Sequence, residues 1–67
     1  MDERNRIRDM RRKKGLTLKQ LAIEAKITPG ALSLIERGAR IPRADTALRI
    51  AQALETTVEQ LFLIEKK

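Results

Sequence analysis

Apolar positions along this chain recur at intervals of three and four residues, as in helices buried along one side. No stretch alternates β-branched or aromatic residues with polar ones, so no strand is expected. Asp2 is placed to cap a first helix to about residue 14, with Ile7 and Met10 on one face, and Gly15 ends it with a positive φ. Thr17 and Gln20 form a capping box that opens a second helix through about residue 25, with Leu21, Ala22 and Ala25 inward. Lys26-Ile27 make the turn. Thr28 then caps a third helix with Pro29 in its first position, where a missing N–H costs nothing, and Gly38 stops it. Ile41 before Pro42 is steered away from helix, so residues 39–43 read as a basic loop. A fourth helix over about 44–54 turns Ala47, Ile50, Ala51 and Leu54 inward. Thr57 with Gln60 repeats the capping box and opens a last helix over about 58–64.

The short turn between the second and third helices forces them to cross steeply and leaves the third standing proud. Rotation at about 100° per residue places Ala31, Leu32, Ile35 and Glu36 on its buried side. Gly30, Ser33, Leu34 and Arg37 fall on the opposite arc. An outward Leu34 has either a harmless surface position or a thymine methyl group to contact.

Charge sharpens this picture. The 67 residues hold 15 Lys+Arg and 9 Asp+Glu, a net charge of +6. Residues 1–14 carry seven basic and three acidic groups (net +4), and 15–43 carry five and two (net +3). Residues 44–67 carry three and four (net −1). The excess therefore lies in the first two thirds, as for a protein with one face turned to a polyanion. The run Arg11-Arg12-Lys13-Lys14 alone reads equally as a solvated helix face.

Composition removes other classes. The chain has no His, Cys, Trp or Tyr, which excludes thiolate and imidazole chemistry and the usual zinc sites. Asp45, Glu55 and Glu59 are scattered and no nucleophile has a base beside it, so neither an enzyme nor a cofactor is expected. The longest apolar run, Leu61-Phe62-Leu63-Ile64, is far short of a membrane span, and the N-terminus lacks an apolar signal core. The reading is a single soluble, cytoplasmic domain over residues 1–67, with no membrane partner.

Several segments recur here in a telling order: Ile7-Arg8-Asp9-Met10-Arg11, Gly15-Leu16-Thr17, Gln20-Leu21-Ala22 and Leu32-Ser33-Leu34-Ile35-Glu36-Arg37-Gly38. Pro42, Ile50-Ala51-Gln52-Ala53-Leu54 and Val58-Glu59-Gln60-Leu61-Phe62 follow. In this order the chain resembles the phage-repressor and Cro-type (XRE family) helix-turn-helix proteins across residues 4–62. The resemblance implies an all-α, five-helix, lambda-repressor-like domain, with the motif over about 18–37 and the third helix in the major groove of double-stranded DNA. It implies an ion pair between Arg11 and Glu36. It places Thr28, Pro29, Gly30, Ser33, Leu34 and Arg37 toward the bases. Lys19, Arg40 and Arg43 meet phosphates as charges, and Thr17 and Leu18 as helix-end N–H groups.

The chain departs from that pattern in places. Pro29 and Gly30 bring no side-chain hydrogen bonds, Leu18 replaces a usual Gln, Glu55 a frequent Gly, and Arg43 a frequent capping Ser. Direct readout is therefore expected to be sparse, with DNA shape supplying much of the specificity. One such domain makes few contacts, so a homodimer on adjacent half-sites is expected. Its interface is expected over about 54–64 from Leu54, Val58, Phe62, Leu63 and Ile64. The leading functional reading is a repressor whose occupancy of a palindromic operator blocks transcription. The competing one is a scaffold for a protein partner such as an antagonist or a toxin.

Overall fold

The computed structural model describes residues 5–62, which form five helices and no strand among them. They are α1 (Ile7–Lys13), α2 (Leu18–Ala25), α3 (Pro29–Glu36), α4 (Ala44–Ala53) and α5 (Val58–Phe62). The all-α, five-helix architecture agrees with the expectation from the sequence.

Apolar residues from every helix meet in one core. Ile7, Leu21, Leu32, Ile50 and Leu61 are fully enclosed, with Ala22, Ala25, Ile35, Ala51 and Leu54 around them. Every inward position expected on α2 and α4 is buried. α2 packs on both α3 and α4, so the helix-turn-helix pair rests on the rest of the bundle through its first member.

Four helix ends close the same way. After α1 the N–H groups of Gly15 and Leu16 return to the carbonyls of Arg12 and Arg11, at 3.0 and 3.1 Å. Lys26 with Ile27, Gly38 with Ala39 and Glu55 with Thr56 repeat this pair of bonds after α2, α3 and α4. Each closure turns on a left-handed residue: Gly15 (φ 74°), Lys26 (φ 61°), Gly38 (φ 76°) and Glu55 (φ 58°). Two of the four therefore hold a Cβ where glycine is the unstrained choice.

The starts of the helices depart from expectation in two places, at α1 and at α5. Asp2 lies outside the described residues, and α1 begins later, at Ile7. Asn5 opens it instead: its Oδ1 accepts the Ile7 N–H at 3.2 Å, while the Arg6 N–H donates to the Leu61 carbonyl at 2.8 Å. The α4 start meets expectation: Arg43, in place of a capping Ser, makes no cap, and Asp45 compensates, its Oδ1 accepting the Thr46 N–H at 2.9 Å. The box at α5 is half formed. Thr57 Oγ1 accepts the Gln60 N–H at 3.1 Å, but Gln60 Oε1 accepts from the Thr56 hydroxyl at 3.0 Å.

Candidate nucleic-acid interface

The third helix is fixed at both ends by its own sequence. At its start Thr28 Oγ1 accepts the Ala31 N–H at 3.1 Å, with Pro29 in the first turn. At its end sits Glu36, whose negative charge opposes the negative pole of the helix dipole. Two arginines of α1 offset it. Arg11 Nε donates to Glu36 Oε2 at 2.7 Å, and Arg8 Nε to Oε1 at 3.4 Å. The Glu36 side chain is 2% exposed and that of Arg11 13% exposed, so the contact is largely removed from water. Arg11 also donates through a terminal nitrogen to the Leu16 carbonyl at 3.0 Å, and the Asn5 amide to the Ile35 carbonyl at 2.9 Å. Two side chains of α1 and Asn5 just before it thus hold the base of α3.

Local sequence reading missed two of these, Arg8 and Asn5. A signal for Arg8 existed, because it lies one turn before Arg11 on the same face of α1. Nothing local marks Asn5, whose partner is 30 residues away.

The outer side of α3 divides unevenly. Thr28, Pro29, Gly30 and Arg37 are exposed, while Ser33 and Leu34 are half-buried. Leu34 was expected to face outward without a core to rest on; instead its inner part is covered and its remainder is open. Lys19 on α2 and Arg40 and Arg43 in the loop after α3 are exposed, Arg43 standing 3.6 Å from Asp45. Nothing crowds a Cβ built at Gly30, so the surface there is open for close approach.

The start of α2 corrects one expectation, at Thr17. The Thr17 N–H is not available to a phosphate, because the capping box closes it on Gln20 Oε1 at 2.8 Å. The Gln20 N–H in turn goes to Thr17 Oγ1 at 3.0 Å. Leu18 is half-buried and packs on the core, so only its backbone can serve an anion. The N–H groups of Leu18 and Lys19 are the first-turn donors that remain.

The expected dimer residues also sort differently. Leu54 is 5% exposed and belongs to the protein's own core, so it presents no face to a partner. Val58 and Phe62 are half-buried against that core, and Leu63 and Ile64 lie outside the described residues. The open apolar surface lies one face further round α4. There a groove of about 730 Å³ runs between α4 and α5, lined chiefly by Ala44, Ala47, Leu48, Ala51 and Val58. Leu48 is 54% exposed at its edge.

No group of acidic side chains among the described residues is arranged to hold a metal ion, and no helix among them is long and apolar enough to cross a membrane.

Comparison with known proteins agrees with this geometry. The helix-turn-helix family profile matches residues 7–61. No curated protein matches significantly. The N-terminal DNA-binding domain of SinR from Bacillus subtilis is similar at 32% identity with a TM-score of 0.78, covering 91% of this chain and 88% of that one. SinR, the master regulator for biofilm formation, solved in complex with DNA, is similar at 31% identity and TM-score 0.73, covering 81% and 87%. The clp gene regulator ClgR from Corynebacterium glutamicum is similar at 35% identity and TM-score 0.73, covering 78% of this chain. The chain spans about half the length of some of these relatives: 55% of that ClgR chain, and 53% of SinR from its complex with SinI. By the match over residues 7–61 and the fold it shares with these regulators, the chain belongs to the XRE-type helix-turn-helix family of DNA-binding transcription regulators.

Proposed function

We propose that this chain binds double-stranded DNA in a sequence-dependent way as a dimeric repressor of a palindromic operator, its occupancy blocking transcription. The observation that carries the reading is the fixing of α3 at Thr28 and at Glu36 while Thr28, Pro29, Gly30 and Arg37 stay exposed and Ser33 and Leu34 stay partly open, with Lys19 on α2 and Arg40 and Arg43 in the following loop exposed as well. The solved complex of the similar protein SinR with DNA supports it. In this reading Thr28, Pro29, Gly30, Ser33, Leu34 and Arg37 lie toward the bases. Thr28 and Ser33 offer hydroxyls, and Leu34 offers methyl groups to thymine. The backbone at Gly30 lies against the duplex. Lys19, Arg40, Arg43 and the N–H groups of Leu18 and Lys19 meet phosphates. Pro29 and Gly30 add no hydrogen-bonding side chain, so groove shape carries much of the discrimination.

The second copy takes the α4–α5 groove rather than Leu54. Residues 44–67 have a net charge of −1 from three basic and four acidic groups, so two such faces meet with little repulsion. Leu48 supplies the apolar area. A second reading gives the same groove to a protein partner such as an antagonist; the similar protein SinR has been solved in a complex with SinI.

Competition binding tests the base assignment. Ser33→Ala and Leu34→Ala each shift the preferred sequence selected from random duplexes. An unchanged preference in both variants defeats the assignment. Salt separates DNA from a protein partner: neutralising about five phosphates per protomer gives a log–log slope near −4 to −5, twice that for a dimer. A protein partner gives a far shallower slope.

A further inference from the structure

Ile41 is 91% exposed, the most open of the large apolar side chains in the described part of the chain. It has a cationic neighbour on each side, at Arg40 and Arg43, both exposed. Pro42 follows it, which holds its backbone extended and keeps the side chain from folding back into a helix. The residue stands as a ridge between two shallow hollows. One, of about 340 Å³, lies toward Ala31, Ile35 and Thr46. The other, of about 130 Å³, lies toward Asn5, Gly38 and Phe62. Neither hollow takes the isoleucine in.

An aliphatic side chain so open, set between arginines, gains nothing from the folded chain itself. Its surroundings point to a polyanion that also has apolar surface. The eight residues of α3 span roughly 12 Å, close to the width of the B-DNA major groove. A helix whose amino end meets the bases therefore leaves the groove at its carboxyl end, and residues 39–43 meet the sugar–phosphate wall. Along that wall charged phosphates alternate with deoxyribose rings, whose C–H surface is the apolar part of the backbone.

We propose that Ile41 packs on a deoxyribose at the edge of the half-site while Arg40 and Arg43 engage phosphates on either side of it. This rests on the reading of α3 as the element that enters the groove. The contact adds affinity that salt does not screen and that does not depend on base identity, and it fixes how far α3 enters.

The test compares the full-length parent with Ile41→Ser, Ile41→Leu and Arg40→Ala on a duplex selected from random sequence, over a series of salt concentrations. Ile41→Ser weakens binding about fivefold to tenfold at every salt concentration, as expected for exposing half of an isoleucine side chain. Its log–log salt slope and its selected sequence stay those of the parent. Ile41→Leu restores the affinity. Arg40→Ala instead makes the slope shallower by about one per protomer, or about two for the dimer. Binding by Ile41→Ser within twofold of the parent overturns the proposal, and so does a change in its selected sequence, which would mean a base contact. A change in self-association with unchanged DNA affinity also overturns it, since Ile41 would then serve a protein surface. In those three outcomes DNA binding by the parent still stands. A parent that ignores every duplex removes both readings.

Discussion

Replacing Glu36 by alanine tests how far α3 depends on α1. The carboxylate is 2% exposed and accepts from Arg11 at 2.7 Å and from Arg8 at 3.4 Å. Its loss leaves the Arg11 guanidinium, 13% exposed, with the Leu16 carbonyl at 3.0 Å as its remaining partner. Breaking a buried pair by removing one member costs about 3–5 kcal/mol. The lower end applies, because Arg11 keeps that carbonyl and some contact with water. Arg8 is 48% exposed and adds less than about 1 kcal/mol. A chain of 67 residues has a total stability of about 3–10 kcal/mol, so a loss of about 3 takes a large part of it. At about 4–8 °C per kcal/mol, the midpoint falls by roughly 12 °C or more. Thermal melts followed by circular dichroism measure this. The double variant Arg11→Met/Glu36→Leu recovers most of the loss, since apolar groups of similar volume remove both charges together. A Glu36→Ala melt within about 2 °C of the parent refutes the reasoning. So does a double-mutant cycle for Arg11 and Glu36 without coupling.

Three other expectations follow from the same geometry. Lys26→Gly, in the turn between α2 and α3, raises stability by about 1 kcal/mol because Lys26 sits at φ 61°; a lowered midpoint in urea counts against the strain. Glu55→Gly, at φ 58°, gains less, since it also loses the ion pair with Lys14 at 2.9 Å; a gain exceeding that of Lys26→Gly in the same titration contradicts this ranking. Leu48→Glu leaves the thermal melt of the monomer nearly unchanged but abolishes self-association in sedimentation, whereas persistence of the dimer moves its seat away from the α4–α5 groove.

Much of this protein was legible in the order of its residues. The periodicity of Leu21, Ala22 and Ala25, and of Ala47, Ile50 and Ala51, specifies which face of each helix is buried, because a 3.6-residue repeat gathers these residues on one side. Thr17 with Gln20, and Thr28 with Pro29, specify where α2 and α3 begin, because capping bonds form within one turn of chain. Gly15 and Gly38 mark two of the four reversals for the same local reason. Contacts between distant segments were decided by tertiary structure alone. The Asn5 amide reaches the Ile35 carbonyl, the Arg6 N–H reaches the Leu61 carbonyl, and Arg8 joins Arg11 on Glu36. Local pattern sets a residue's direction about its own helix axis. Which neighbour it then meets depends on how the helices are placed against one another, and that placement is settled only when the whole core packs at once.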